Sequence, residues 1–194
     1  MPFTLTVLVL AVTLSYLRGG RLRRIADAPL KRSWLLFAGL ALQLVVDLGA
    51  SRGLFVEAGP TGYLLLLISQ VLVLAWVLSN WQLPGMLLVG IGLTMNAIVI
   101  GANGAMPVDP AAIRALGLEG AEVNPGKHIL LTEQTRLPWL ADVWPLPPLR
   151  SIISVGDIVL AAGLIPLTHG LMSYRPTAER RRRRPIDRDA TERR

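Results

Sequence analysis

Apolar residues gather in five long runs, at about 2–17, 33–50, 61–78, 84–101 and 151–172, with polar stretches between them. A helix that crosses the hydrocarbon core of a bilayer needs about 20 apolar residues, within a range of about 17–25. The first run sits at the short limit and the fifth is comfortably long. None shows the strict alternation over ~10 residues that marks the strands of a membrane barrel. In hydrocarbon every backbone group must be paired within its own segment, so runs of this length predict helices. The expected fold is all-α, an integral membrane bundle of five transmembrane helices. A long connection spans 102–150, and a basic tail follows at 175–194.

Composition agrees with this pattern. Of the 194 residues 52% are apolar and 17% charged, against about 25% charged in ordinary soluble domains. A soluble enzyme is therefore a poor reading. The absence of Cys removes disulfides, thiolate metal sites, cysteine nucleophiles and palmitoylation together.

The net charge of +7 acquires meaning from its location. Fifteen of the 20 basic residues lie either in the first connection (Arg18, Arg21, Arg23, Arg24, Lys31, Arg32) or in the tail from Arg175 to Arg194. Cytoplasmic segments carry the Lys/Arg excess. Five spans satisfy this with the N-terminus outside and the C-terminus cytoplasmic. Aromatic residues favour the two interfaces. Tyr16, Trp34, Trp81 and Tyr174 fall at expected inner ends, and Tyr63, Trp139 and Trp144 at or near outer ends, while Trp76 sits deeper. The first run lacks a basic segment before it, so it reads as a retained helix rather than a cleaved signal peptide. The run Arg180 to Arg184 carries no interleaved aromatics and directly follows a span. It reads as an anchor attracted to anionic lipid, not as a nucleic-acid site, in a tail expected to be disordered.

Ionisable residues within spans default to functional candidates. Two occur here, Asp47 in the second helix and Asp157 in the fifth. Asn96 and Asn103 are seven apart on one face of the fourth helix. Polar groups from several helices thus lie in the outer half, and the inner half is nearly bare. The structural alternatives are helix-to-helix hydrogen bonds for Gln43 and Gln70, interfacial hydration for Asp47, and for Asp157 a carboxylate that caps a loop amide or pairs with Lys127 or Arg150. The outer connection adds a tight turn at 101–108. A second turn, Asn124-Pro-Gly-Lys127-His128, has no phosphate-loop spacing. A proline-interrupted segment at 137–149 reads as a lid or a surface linker, and would fold Asp142 over the helix ends. His128 and His169 lie at opposite ends of the bundle, so no metal site is expected, and no cofactor is implied. Ala97-x-x-x-Gly101 is a small-residue spacing suited to helix packing.

The elements Asn96-x-x-Val99-Ile100, Asn103-Gly-x-Met106-Pro107-Val108, Lys127-His128, Asp142 and Ser154-Val-Gly156-Asp157 together resemble a bacterial family of small membrane proteins, domain of unknown function 5317. Pro84-Gly85-Met86 fits the same pattern, and the likeness spans about Leu17 to Gly163. Ala105 departs from it where a second Gly is expected. The resemblance implies a polytopic membrane protein and no activity.

Three readings follow. In the first, a polar pocket in the outer half of the membrane holds a lipid head group or small polar ligand, with Asp47, Asn96, Asn103, Lys127, His128, Asp142 and Asp157 as candidate ligand-binding residues. In the second, a membrane enzyme acts on a lipid-linked substrate, with Asp157 or His128 as general base. In the third, a structural or assembly subunit uses its polar groups as staples. A complete carrier is disfavoured, because no inverted repeat is evident and the inner half lacks a polar path. Oligomerisation would supply both.

Overall fold

A computed structural model describes residues 2–52, 60–118 and 128–175. Most of the second connection, the turn at 124–127 with Lys127, and the tail from 176 onward lie outside the described residues.

The chain is mainly helical. Five long helices, α1 (Pro2–Leu17), α2 (Ser33–Ser51), α3 (Pro60–Ser79), α4 (Met86–Asn103) and α6 (Val155–Ser173), fall on the five apolar runs. Three of them, over Thr61–Ser79, Met86–Asn103 and Val155–Ser173, are long and apolar enough to cross a membrane. The apolar stretches Phe3–Leu17 and Ser33–Gly49 are shorter. Large apolar side chains cover the outside of the bundle, among them Leu10, Phe37, Val71, Leu87 and Ile98, each at least half exposed. Leaving such a side chain in water forgoes about 1.5–3 kcal/mol of burial. A surface of this kind is compatible with lipid around it.

The helices pack in the spatial order α2, α3, α4, α6, α1, and the most extensive contact is between the antiparallel α4 and α6. Glycines open that seam. A Cβ on Gly92 would lie 2.5 Å from the Gly156 carbonyl oxygen, and one on Gly163 would lie 2.6 Å from the Val89 nitrogen. Gly85 faces Gly163 as Gly92 faces Gly156. The register therefore advances by two turns on each helix and brings the backbones together. Gly101, which the small-residue spacing places in a packing interface, has nothing within 4 Å of where its Cβ would stand. The seam uses Gly92 instead, two and a half turns earlier.

The described parts of the connection at 102–150, residues 102–118 and 128–150, are folded. They contain β1 (Met106–Val108), the short helix α5 (Pro110–Ala115), β2 (His128–Leu130) and β3 (Trp144–Leu146), and β4 (Ser151–Ile153) follows them. β1 and β2 run parallel, with Met106 opposite His128. β3 and β4 are antiparallel, with Trp144 opposite Ile153. The last helix consequently begins at Val155 rather than at 151. Its first three expected residues pair as a strand, and Ser154 stops the helix from extending backward by capping it.

Two clusters of buried side chains divide the core. Leu35, Trp76, Val77, Met86, Val89 and Leu167 fill the end where α3 and α6 finish. Leu66, Val99, Ile100 and Met106 fill the opposite end, beneath the folded connection.

Candidate functional site

The site grows from the N-terminus of α6. Ser154 and Asp157 form a reciprocal cap. The Asp157 amide donates to Ser154 Oγ at 3.1 Å, and the Ser154 amide donates to Asp157 Oδ2 at 3.2 Å. Such a box satisfies two of the amides that a helix start leaves unpaired. An anionic side chain in the first turn also suits the helix dipole. Asn96 of α4 closes the group. Its Nδ2 donates to Asp157 Oδ1 at 2.9 Å, and its Oδ1 accepts from Ser154 Oγ at 3.1 Å. Gly156 permits this approach, because a Cβ there would collide with Asn96 Oδ1. Both Asp157 oxygens are thus engaged, and the alternative of a carboxylate that caps a loop amide describes their geometry.

Asp142 reaches the same end of the bundle from the folded connection. α4 ends on Gly104, in the left-handed region at φ 85°, and turns the chain into the buried strand Met106–Val108. Asp142 then lies beside that strand. Its amide donates to the Pro107 carbonyl and its own carbonyl accepts from the Asp109 amide, each at 2.9 Å. The residue is only 7% exposed. Its Oδ1 is buried without a hydrogen-bond partner among the described residues. Its Oδ2 lies 4.0 Å from His128 Nε2, beyond hydrogen-bond range. Burial, and secondarily the charge of Asp157, raises the Asp142 carboxyl to about 8. An isolated buried carboxylate is costly, so the group keeps its proton through neutral pH.

The segment that carries Asp142 is held at both ends. Asn103 Nδ2 donates to the carbonyls of Val99 and Arg136, and the Arg136 amide donates to Asn103 Oδ1, all at 2.8 Å. Asn103 therefore works as a bracket between α4 and the following segment. Leu137 (φ 56°) and Arg150 (φ 45°) both adopt left-handed backbone although neither is glycine. Such conformations cost about 1 kcal/mol or more each. They stand at the two limits of the proline-interrupted stretch.

The structure thus brings Asn96, Asp142, Asp157 and His128 to one end of the bundle. Asn103 serves the bracket. Asp47 lies on α2, whose main packing partner is α3 rather than α4 or α6, and Lys127 is outside the described residues. Ser154 belongs to the group although it was not among the candidates; the Ser-x-x-Asp spacing before an apolar run signals it. Among the described residues no group of three or more His, Asp or Glu side chains gathers as metal ligands would.

These elements define a helical bundle with apolar outer faces and a polar cluster at one end, beside the folded parts of the 102–150 connection. The chain belongs to the family of unknown function DUF5317, whose model matches residues 27–168. No curated protein and no solved structure matches it.

Proposed function

We propose that this chain is a multi-pass protein of the bacterial inner membrane that holds a lipid head group or small polar ligand at Asp142. Five spans are supported by the five long apolar helices and by exposed aromatics at both ends of the bundle. Tyr16, Trp34 and Trp81 stand exposed at one end, and Trp139 and Trp144 at the other. The eighteen residues of α4 between them measure ~27 Å at 1.5 Å per residue, close to the ~30 Å of a hydrocarbon core. The basic first connection and tail put the N-terminus and the folded cap outside, with the tail's arginines against anionic lipid.

The binding reading rests on one observation, the buried Asp142 oxygen without a partner. Buried polar atoms are satisfied in most native structures, and the exceptions call for a functional reason. A ligand donor at that oxygen would supply one.

Two experiments test these statements. An impermeant maleimide applied to intact cells should label Ala121→Cys and leave Ala178→Cys unlabelled; the opposite pattern overturns the orientation. Native mass spectrometry of gently purified wild type should show a bound lipid or small molecule that Asp142→Asn loses. An identical mass on both proteins removes Asp142 from the site.

A further inference from the structure

The groups at this site restrict the class of ligand, on the assumption that the binding reading above holds. Hydrogen-bond acceptors there exceed donors. Asp142 contributes two carboxyl oxygens, one of them unpartnered and buried. Asp157 contributes two more, which accept from Asn96 Nδ2 and the Ser154 amide, whereas a carboxylate has about four acceptor sites in all. Two of the nearby donors are committed, Asn96 Nδ2 to Asp157 and Ser154 Oγ to Asn96 Oδ1, and the ring of His128 stands 4.0 Å from Asp142.

The charges point the same way. β2 presents His128 at 4.0 Å from Asp142, and α6 presents Asp157, whose charge acts on Asp142. The α5 cap presents Asp109, whose carboxylate accepts from the Ala111 amide. α4 presents the neutral Asn96, and β1 carries no titratable side chain. A phosphate or carboxylate ligand would bring its negative charge against the half-buried Asp157 and would keep the buried Asp142 from ionising. A primary ammonium brings one positive charge and three N–H donors. We infer that Asp142 and Asp157 form a site for a primary ammonium group, borne either by a phosphatidylethanolamine-type head group or by a free amine.

The site then has a proton-linked affinity. The ammonium pairs with ionised Asp142, so binding expels the proton that burial keeps on this carboxyl up to about pH 8. Ionised Asp142 falls about fifty-fold between pH 8 and pH 6, and the affinity falls with it. An alkyl ammonium stays protonated throughout, as a lysine does with its value near 10.4.

The test uses the full chain in nanodiscs of equimolar phosphatidylethanolamine, phosphatidylcholine and phosphatidylglycerol, with retained lipid read by native mass spectrometry. In parallel, ethanolamine is titrated into detergent-purified protein at pH 6 and pH 8 and melting is followed. Retention of phosphatidylethanolamine at least tenfold above the other two, abolished in Asp142→Asn, supports the inference with a lipid source. A melting shift by ethanolamine at pH 8, with about fifty-fold weaker affinity at pH 6 and no response in Asp142→Asn, supports it with a soluble source. Phosphatidylcholine carries the charge without N–H donors, so equal retention of both lipids in wild type overturns the ammonium assignment even if the variant fails to fold. An Asp142-dependent ligand that lacks an ammonium group overturns this inference and leaves the binding reading standing. No bound mass and no response to ethanolamine in wild type overturns both.

Discussion

At the end of the bundle where α3 finishes, Asn80 Oδ1 accepts from the Lys31 amide at 2.8 Å. Its Nδ2 donates to the carbonyls of Lys31 and Trp76 at 2.9 and 2.8 Å. One amide side chain thus clamps the segment before α2 onto α3. Ser15 Oγ meets His169 Nδ1 at 3.3 Å close by, and the Arg21 amide donates to the Met172 carbonyl. Among the described residues, the buried side-chain atom without a partner at this end is the indole nitrogen of Trp76, a neutral donor. At the opposite end Asn96 and Asn103 perform clamping of the same kind, but beside them stands Asp142, a buried acid with one oxygen unpaired. Amide clamps stabilise both ends. The capped end alone, among the described residues, buries an ionisable group in excess of what its clamps need.

The glycine seam between α4 and α6 joins the two ends, and breaking it should have the largest effect. At Gly92 an added Cβ would meet the Gly156 carbonyl and the Leu160 amide, at 2.5 and 2.6 Å. Both are backbone atoms, which cannot rotate away. Gly92→Ala should therefore force the helices apart and cost about 3 kcal/mol, with the Asn96–Asp157 hydrogen bond lost as well. Gly101→Ala, where a Cβ meets nothing within 4 Å, should be neutral or stabilise by up to about 1 kcal/mol through helix propensity. Melting in detergent separates them; equal losses would show that the seam is not where the close approach lies.

Much of the fold was legible because each of the five long apolar runs forms a helix, three of them long and apolar enough to cross a membrane. Where the pattern failed, short-range chemistry competed with hydropathy. Ser151, Ile152 and Ile153 extend the fifth apolar run, yet they pair with β3 because Ser154 caps the helix behind them. Ala97 and Gly101 have the spacing of a packing motif, but spacing does not say which face a helix turns toward its neighbour. The candidate site was legible as a set of expensive residues rather than as an arrangement. The cost of burying charge singles out Asp157, yet its oxygens prove to be occupied by Asn96 and Ser154. Asp142 lies in a proline-interrupted stretch with no regular period. Its burial depends on bridges to Pro107 and Asp109 that no local pattern encodes. Asn80, in a short polar connection, gave no signal of the three hydrogen bonds it makes.

The comparison of the two ends can be sharpened by removing one polar group from each. Asn80→Ala leaves the Lys31 amide and two carbonyls without their partner and should cost about 2–3 kcal/mol at any pH between 5 and 9. Asp142→Asn should behave differently, because its effect depends on protons. The folded-state value of Asp142, about 8, lies above the ordinary 3.8. Between those values the folded chain therefore holds a proton that the unfolded chain has released. Wild type should lose stability as pH rises from about 4 to about 8, by at most ~1.4 kcal/mol per unit. An asparagine carries no titrating proton and removes that slope, so the variant should overtake wild type as pH climbs, by about 1 kcal/mol near pH 7 when its added amide hydrogens find no acceptor. Melting curves of wild type, Asn80→Ala and Asp142→Asn at pH 5, 7 and 9 supply the measurement. Parallel pH dependences in wild type and Asp142→Asn would mean that Asp142 is ionised in the folded chain, and the contrast between the two ends would then be one of geometry without a difference in charge.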